Sequence, residues 1–249
     1  SKDAWVRVVL IAIFAVMGYQ LLFMHGMKFT AAGDASLIIT MNPIFTVLLA
    51  SPFLGQRVTA RMVYGLILAF IGVAVVTGWS PNTDIPLHER LKGDLMIMLA
   101  ALCWATATNL TRIMLEVEGD YGASSSEIVV WYSLVGTVLL TPWWLADVYS
   151  GGFETPSNKD IVAIFYLSIL STVLAYIWFV VGVEKIGATS ASSYVFLVPP
   201  FGVLGGWLLL DERLGTSLLL GFILIVLGVR VVQRESEALG RAGRTPLQD

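Results

Sequence analysis

Long apolar runs alternate along this chain with short polar breaks. Runs of about 20 residues, the length a helix needs to cross a hydrocarbon core of about 30 Å, fall at 5–27, 35–54, 62–79, 94–115, 128–148, 161–183, 191–210 and 217–234. Several breaks carry turn chemistry: Gly55-Gln56-Arg57, Ser80-Pro81-Asn82-Thr83-Asp84, Gly151-Gly152 and Pro156-Ser157-Asn158. Backbone amides cannot stay unpaired in lipid, and the runs are too long and too uniformly apolar for alternating barrel strands. The pattern therefore predicts an all-α polytopic membrane protein with eight transmembrane helices. The first run is too long for a signal peptide and has no small-residue cleavage site, so it reads as a structural helix. Trp5, Trp79, Trp143, Trp144, Tyr149 and Trp207 lie near run ends, where amphipathic rings favour the headgroups. The tail 235–249, with Gly240, Gly243 and Pro246, has little to bury and is expected to be disordered.

Composition sharpens this picture. Of 249 residues 57% are hydrophobic and only 13% charged, and the mean hydropathy is +0.80, whereas a soluble domain carries about 25% charged residues. The net charge of −3 argues against a nucleic-acid partner, which calls for a basic patch. The single cysteine, Cys103, leaves no internal disulfide, and with only His25 and His88 beside it a Cys/His metal site is out of reach. No cofactor and no metal are expected.

Sliding the sequence on itself gives one productive offset, 156 residues, which pairs runs 1–3 with runs 6–8. Phe23 meets Phe179, Gly26 meets Gly182, Ala35-Ser36 meets Ala191-Ser192, Pro43 meets Pro199 and Phe45 meets Phe201. Arg57 meets Arg213, Gly65 meets Gly221, and Gly72 meets Gly228. Runs 4 and 5 have no upstream partner, so two helices, roughly 60 residues, are expected before Ser1. Two five-helix repeats then face opposite ways across the membrane, because an odd repeat inverts its copy. The expected division is 1–79 for the last three helices of the first repeat, 80–93 for the connection, 94–234 for the second repeat and 235–249 for the tail. With the C-terminus in the cytoplasm, Lys2, Arg7, Arg57, Arg61, Arg112, Lys185, Arg230, Arg234, Arg241 and Arg244 lie inside. Lys28, Arg90, Lys92, Lys159 and Arg213 lie outside, and the two-to-one excess follows the positive-inside rule.

In these motifs the chain resembles the EamA-type transporters of the drug/metabolite transporter (DMT) superfamily. The resemblance rests on a twice-repeated pattern: Ala35-Ser36, Met41-Asn42-Pro43-Ile44-Phe45, Gly55-Gln56-Arg57 and Gly65 to Gly72, then Ala191-Ser192, Pro199-Pro200-Phe201, Asp211-Glu212-Arg213 and Gly221 to Gly228. Ala100-Ala101-Leu102-Cys103-Trp104-Ala105 is similar to the start of that family's repeats. The chain departs from the pattern at Gln56, where the family more often has Glu, and in lacking the first two helices. The resemblance implies a ten-helix (5+5) inverted-repeat bundle around a central cavity, alternating access, and export of metabolites such as amino acids.

Every Asp, Glu, Lys, Arg and His falls in a break or within about two turns of a predicted run end, so the membrane midplane reads as uncharged. That predicts a small neutral or zwitterionic solute, moved by facilitation or with only weak proton coupling. The polar residues near mid-run are Tyr19, Gln20, Thr40, Asn42, Thr106, Thr108, Asn109, Ser171, Thr172, Tyr176, Ser192, Ser193 and Tyr194. A hydroxyl on a helix commonly satisfies its own carbonyls instead of a ligand. Asn42 cannot do so fully, and either lines a cavity or ties helices together. Trp104 and Trp178 lie away from the expected interfaces and offer ring faces. The candidate solute-binding set is Tyr19, Gln20, Asn42, Trp104, Asn109, Tyr176, Trp178 and Tyr194. Pro43, Pro199 and Pro200 each remove a helix hydrogen bond and are candidate hinges.

An enzyme is disfavoured because no His or carboxylate stands at depth to activate Ser171, Ser192 or Cys103. The competing reading is a structural or receptor-like membrane subunit, for which paired mid-helix prolines are unneeded. The expected partners are a small-molecule solute and membrane lipid, with the protein a monomer in the cell's inner or plasma membrane.

Overall fold

The structure is a computed structural model and describes residues 2–54, 58–81, 84–118, 124–152, 155–186, 191, 195 and 198–242. Among them all regular structure is helical. Seven helices are long and apolar enough to cross a membrane: α1 (Asp3–Gly26), α2 (Ala32–Ala50), α3 (Ala60–Gly78), α4 (Leu87–Leu115), α5 (Ser126–Gly151), α6 (Asn158–Ile186) and α8 (Thr216–Leu239). The shorter apolar α7 (Val198–Leu209) stands between the last two. Helix starts follow from local chemistry. Thr59 Oγ1 accepts from the Met62 amide at 3.3 Å. Ser124 with Glu127, and Ser157 with Asp160, form reciprocal capping boxes at the heads of α5 and α6.

Helix α2 is the centre of the molecule, and two apolar cores meet at α4. One joins Leu37, Ile38, Met41 and Ile44 of α2 to Met62, Ala69 and Val76 of α3, Ile97 and Ala101 of α4, and Ile225, Val229 and Val232 of α8. The other joins Val8, Ile11 and Ala15 of α1 to Ala107 and Met114 of α4, Ile128 and Tyr132 of α5, and Val180 of α6. The outer faces of α5 and α6 are apolar and exposed, as they must be against lipid. Trp5, Trp79, Trp143, Trp144, Tyr149 and Trp207 are all exposed.

The closest pairing is α3 with α8, which run antiparallel. A Cβ on Gly65 would stand 2.6 Å from the Gly228 carbonyl oxygen, and one on Gly72 would stand 2.9 Å from that of Gly221. The in-register glycines thus let two backbones touch, the small-residue packing that dispersion favours in lipid. Gly65→Val is expected to destabilise the folded chain by about 1–3 kcal/mol through overpacking, read as a lower unfolding midpoint in detergent. A midpoint unchanged from wild type would rule out backbone contact here.

Two departures from the expected boundaries have physical causes. The last helix continues to Ala242 instead of fraying at Glu235, because Ser236 is buried, Leu239 packs on the core and Arg61 pairs with Glu235 at 3.3 Å. At the other end of the bundle α2 and α4 begin before their apolar runs, and so take Asp34 and Arg90 into helices, with Asp94 two turns inside α4 instead of at its start. The repeat's Gly55-Gln56-Arg57 motif lies outside the described residues.

Candidate functional site

Between the two cores lies a cavity of about 420 Å³ lined by α1, α2, α4, α6 and α7. Its wall follows the sequence repeat. Tyr19 and Ala175, Phe23 and Phe179, Ile39 and Val195, and Asn42 and Val198 all line it, and each pair stands at the 156-residue offset. Gln20 donates a long 3.5 Å hydrogen bond to the Tyr176 hydroxyl, again across 156 residues. The cavity wall is thus drawn from both of the segments that the 156-residue offset relates. The register-matched helices α1 and α6 also share a wide π-helical stretch, Ala12–Gly18 and Tyr166–Leu174, ending at equivalent residues just before the cavity-lining positions.

An aromatic wall forms around Trp104. Its ring centroid is 5.2 Å from Tyr19, 5.0 Å from Tyr176 and 5.3 Å from Phe179. These tilted contacts hold the indole in place and present ring faces to the cavity. The polar edge is uneven between the copies, since Tyr19 and Asn42 of the first are matched by Ala175 and Val198 of the second.

Helix α2 changes geometry beside this edge. Pro43 cannot donate to the Ile39 carbonyl, which accepts from the Asn42 amide in a tight 3-10 turn over Ile39–Met41. The buried Asn42 side chain serves the cavity and the scaffold together: Nδ2 donates to the Ala101 carbonyl at 3.4 Å, and Oδ1 accepts from Thr46 at 3.3 Å. Asn109 reciprocates from α4, donating to the Thr46 carbonyl at 3.0 Å and its own Ala105 carbonyl at 3.1 Å.

Of the candidate residues, Tyr19, Asn42, Trp104 and Tyr176 share the cavity, and Gln20 reaches it through Tyr176. Asn109 is buried between helices and does not line it. Trp178 is 71% exposed on the outer face of α6. Positions two apart point to opposite sides of an α-helix, so Tyr176 facing inward sends Trp178 outward to lipid. Tyr194, with Ser192 and Ser193, lies outside the described residues. Pro199 and Pro200 line a separate apolar cleft of about 340 Å³ with Leu37, Val203 and Phe222. Thr40, Thr106, Thr108 and Thr172 each donate to a carbonyl of their own helix. Sequence reasoning missed Phe23, Phe179, Ser36 and Gly202 as lining residues, although the offset already matched Phe23 with Phe179.

Among the described residues the cavity lining carries no charge, but its end does. Asp34 in the first turn of α2, and Arg90 and Asp94 near the start of α4, are all buried. Thr30 and Thr77 donate to Asp94 at 2.6 and 2.5 Å. Both Asp34 carboxylate oxygens, and Nε and Nη1 of Arg90, have no hydrogen-bond partner among the described residues. Ser80 lies beside Asp34, and the fields of Arg90, Asp94 and Glu212 reach it.

The comparisons agree with this architecture. The model of the EamA-like transporter family matches residues 1–78 and 91–234, leaving out only the connection and the tail. An uncharacterized transporter of Archaeoglobus fulgidus is 28% identical over 92% of this chain and 78% of its own length. A probable terminal-alkyne amino-acid exporter of Streptantibioticus cattleyicolor is 28% identical over 92% and 73%. A probable amino-acid metabolite efflux pump of Escherichia coli is 26% identical over 80% and 67%. A solved crystal structure, 18% identical, superposes with a TM-score of 0.61 over 93% of this chain and 77% of that one, which shows a shared fold. An all-helical membrane chain with a cavity lined by residues of both its halves is thus matched over both halves by one family model, and the chain belongs to the EamA-like transporter family.

Proposed function

We propose that this protein exports small neutral or zwitterionic, amino-acid-like metabolites by alternating access through the cavity beside Trp104. The observation that carries the reading is the cavity wall made of residue pairs 156 apart. A binding point on the axis between two inverted copies is presented alike to both sides of the membrane as the copies rock. A volume of about 420 Å³ suits a solute of amino-acid size. The ring faces of Tyr19, Trp104, Tyr176 and Phe179 accept an apolar side chain, while the Tyr19 and Tyr176 hydroxyls, Gln20 and the remaining capacity of Asn42 accept a polar head. Two relatives bear names of amino-acid or amino-acid-metabolite exporters, which supports this solute class. The tight turn before Asn42-Pro43 serves as the hinge in α2, and Pro199-Pro200 marks the matching place in α7. The working unit is a monomer within the ten-helix arrangement of the family resemblance, in the cell membrane with its C-terminus in the cytoplasm.

Counterflow into proteoliposomes preloaded with single unlabelled amino acids tests this. Accumulation of the labelled counterpart for at least one of them is expected. A full panel with no counterflow, from protein that is folded and correctly inserted, would remove the reading in favour of a structural subunit.

A further inference from the structure

Glu212 ties the two halves of the chain together at one end of the cavity. Helix α2 starts after Ala31, which has no side chain able to cap it, so its first amides would be left orphaned. Glu212, from the connection after α7, supplies the missing cap from about 180 residues away. The Ala32 amide donates to Oε1 at 2.6 Å, and the Gly33 amide donates to Oε2 at 2.9 Å. A carboxylate accepting two amides at the positive end of a helix forms charge-assisted bonds.

The local chain is shaped for this contact. The Leu210 and Glu212 amides both fold back on the Gly206 carbonyl, at 3.0 and 3.1 Å, and Asp211 adopts a left-handed conformation with φ of 53°. A side chain on Gly206 would overlap the Glu212 carboxylate, and a Cβ on Gly33 would stand 3.2 Å from Oε2. One turn nearer the cavity, Ser36 of α2 packs directly on Gly202 of α7, and both line it. The carboxylate therefore sits immediately beyond the cavity lining, on the seam between α2 and α7. This end is opposite the C-terminus of α8, which starts beside it.

The contact is strong but opposed. Asp34, one position beyond Gly33, is buried, and its electrostatic neighbours are Arg90, Asp94 and Glu212. Arg90 favours a carboxylate at this end, whereas Asp34 in its ionised form repels the one Glu212 brings. Ser80 after α3 carries no charge, and Arg213, next to Glu212 in the chain, pairs with Asp84 at 3.5 Å. A closure held by two charged hydrogen bonds and weakened by a like charge can break and reform at modest cost.

We propose that Glu212 is the latch of the cavity at this end: its carboxylate on the Ala32 and Gly33 amides holds α2 and α7 together, and Asp34 sets how readily it releases. The proposal rests on the transport reading for its purpose but not for its test. The probe is a membrane-impermeant maleimide acting on the full-length chain in sealed vesicles, with Cys103→Ser and a single new thiol from Ala175→Cys in the cavity wall. Reagent is applied from the face that carries Glu212. Glu212→Ala is expected to label about tenfold faster than its parent, and Glu212→Gln, which keeps one acceptor, by less. Asp34→Asn is expected to label about threefold more slowly, because removing the like charge tightens the latch. A purely structural cap gives no such opposite pair of effects. Equal labelling of Glu212→Ala and parent would overturn the proposal, as would faster labelling of Asp34→Asn. Should the alanine variant misfold, the glutamine variant carries the test, and labelling at the parent rate rejects the latch. A chain that gates in this way yet shows no counterflow refutes the transport reading alone.

Discussion

Trp104→Ala should weaken solute binding by about 2–3 kcal/mol, a roughly thirty- to hundredfold loss of affinity. Among the described residues no other cavity residue holds three aromatic neighbours at once, with Tyr19, Tyr176 and Phe179 each about 5 Å away. Its removal deletes the largest ring face and also frees its neighbours to turn into the space left behind. Trp104→Phe restores a ring of smaller area and should recover part of the loss. The measurement is equilibrium binding of whichever solute counterflow identifies, with the unfolding midpoint recorded alongside. Affinity within twofold of wild type in Trp104→Ala would place the solute elsewhere.

Gly202→Leu is expected to slow exchange about ten- to a hundredfold while leaving the fold assembled. Gly202 is where α7 passes α2, and any Cβ there would collide with Ser36. A branched side chain wedges the seam apart, and overpacking of this kind costs about 1–3 kcal/mol, charged against the closed arrangement only. The α3–α8 pairing is untouched, so the unfolding midpoint should change far less than in Gly65→Val. Counterflow rate at saturating solute is the readout, with Gly202→Ala giving a smaller effect in the same direction. Wild-type exchange by Gly202→Leu would show that this seam does not move during transport.

The parts of this fold legible in the sequence were those set by backbone proximity or by a missing hydrogen bond. Gly65, Gly72, Gly221 and Gly228 were legible as matched positions of the repeat, and they form a close helix crossing because only small residues permit one. Asn42-Pro43 announced a break in α2 because proline has no amide to give. Which face a side chain takes was less legible. Trp104 and Trp178 both stand mid-run, yet only Trp104 meets the cavity, and Tyr166–Leu174 of α6 coils more widely than the 3.6-residue period assumed in reading faces. The buried charges escaped for another reason. Counting apolar residues stops at or before the first acid, but Thr30 and Thr77 bring hydroxyls to Asp94 and Ser80 stands beside Asp34, so the helices carry these acids among polar neighbours that lie far apart in sequence. Glu212 was legible as part of a motif but not as a cap, because its partners precede it by about 180 residues.

The α3–α8 contact also orders events during synthesis. A ribosome working at about 5–20 residues per second reaches Gly228 roughly ten to thirty seconds after Gly65. Throughout that interval the glycine face of α3 has met only lipid, which fits a backbone groove poorly, or whatever other helix of the nascent chain or of a neighbouring protein drifts against it. When α8 inserts, it therefore displaces provisional company. A ribosome that stalls or a message that ends before α8 leaves α3 with its most closely fitting surface uncovered, the kind of surface by which membrane quality control can recognise a chain that lacks α8.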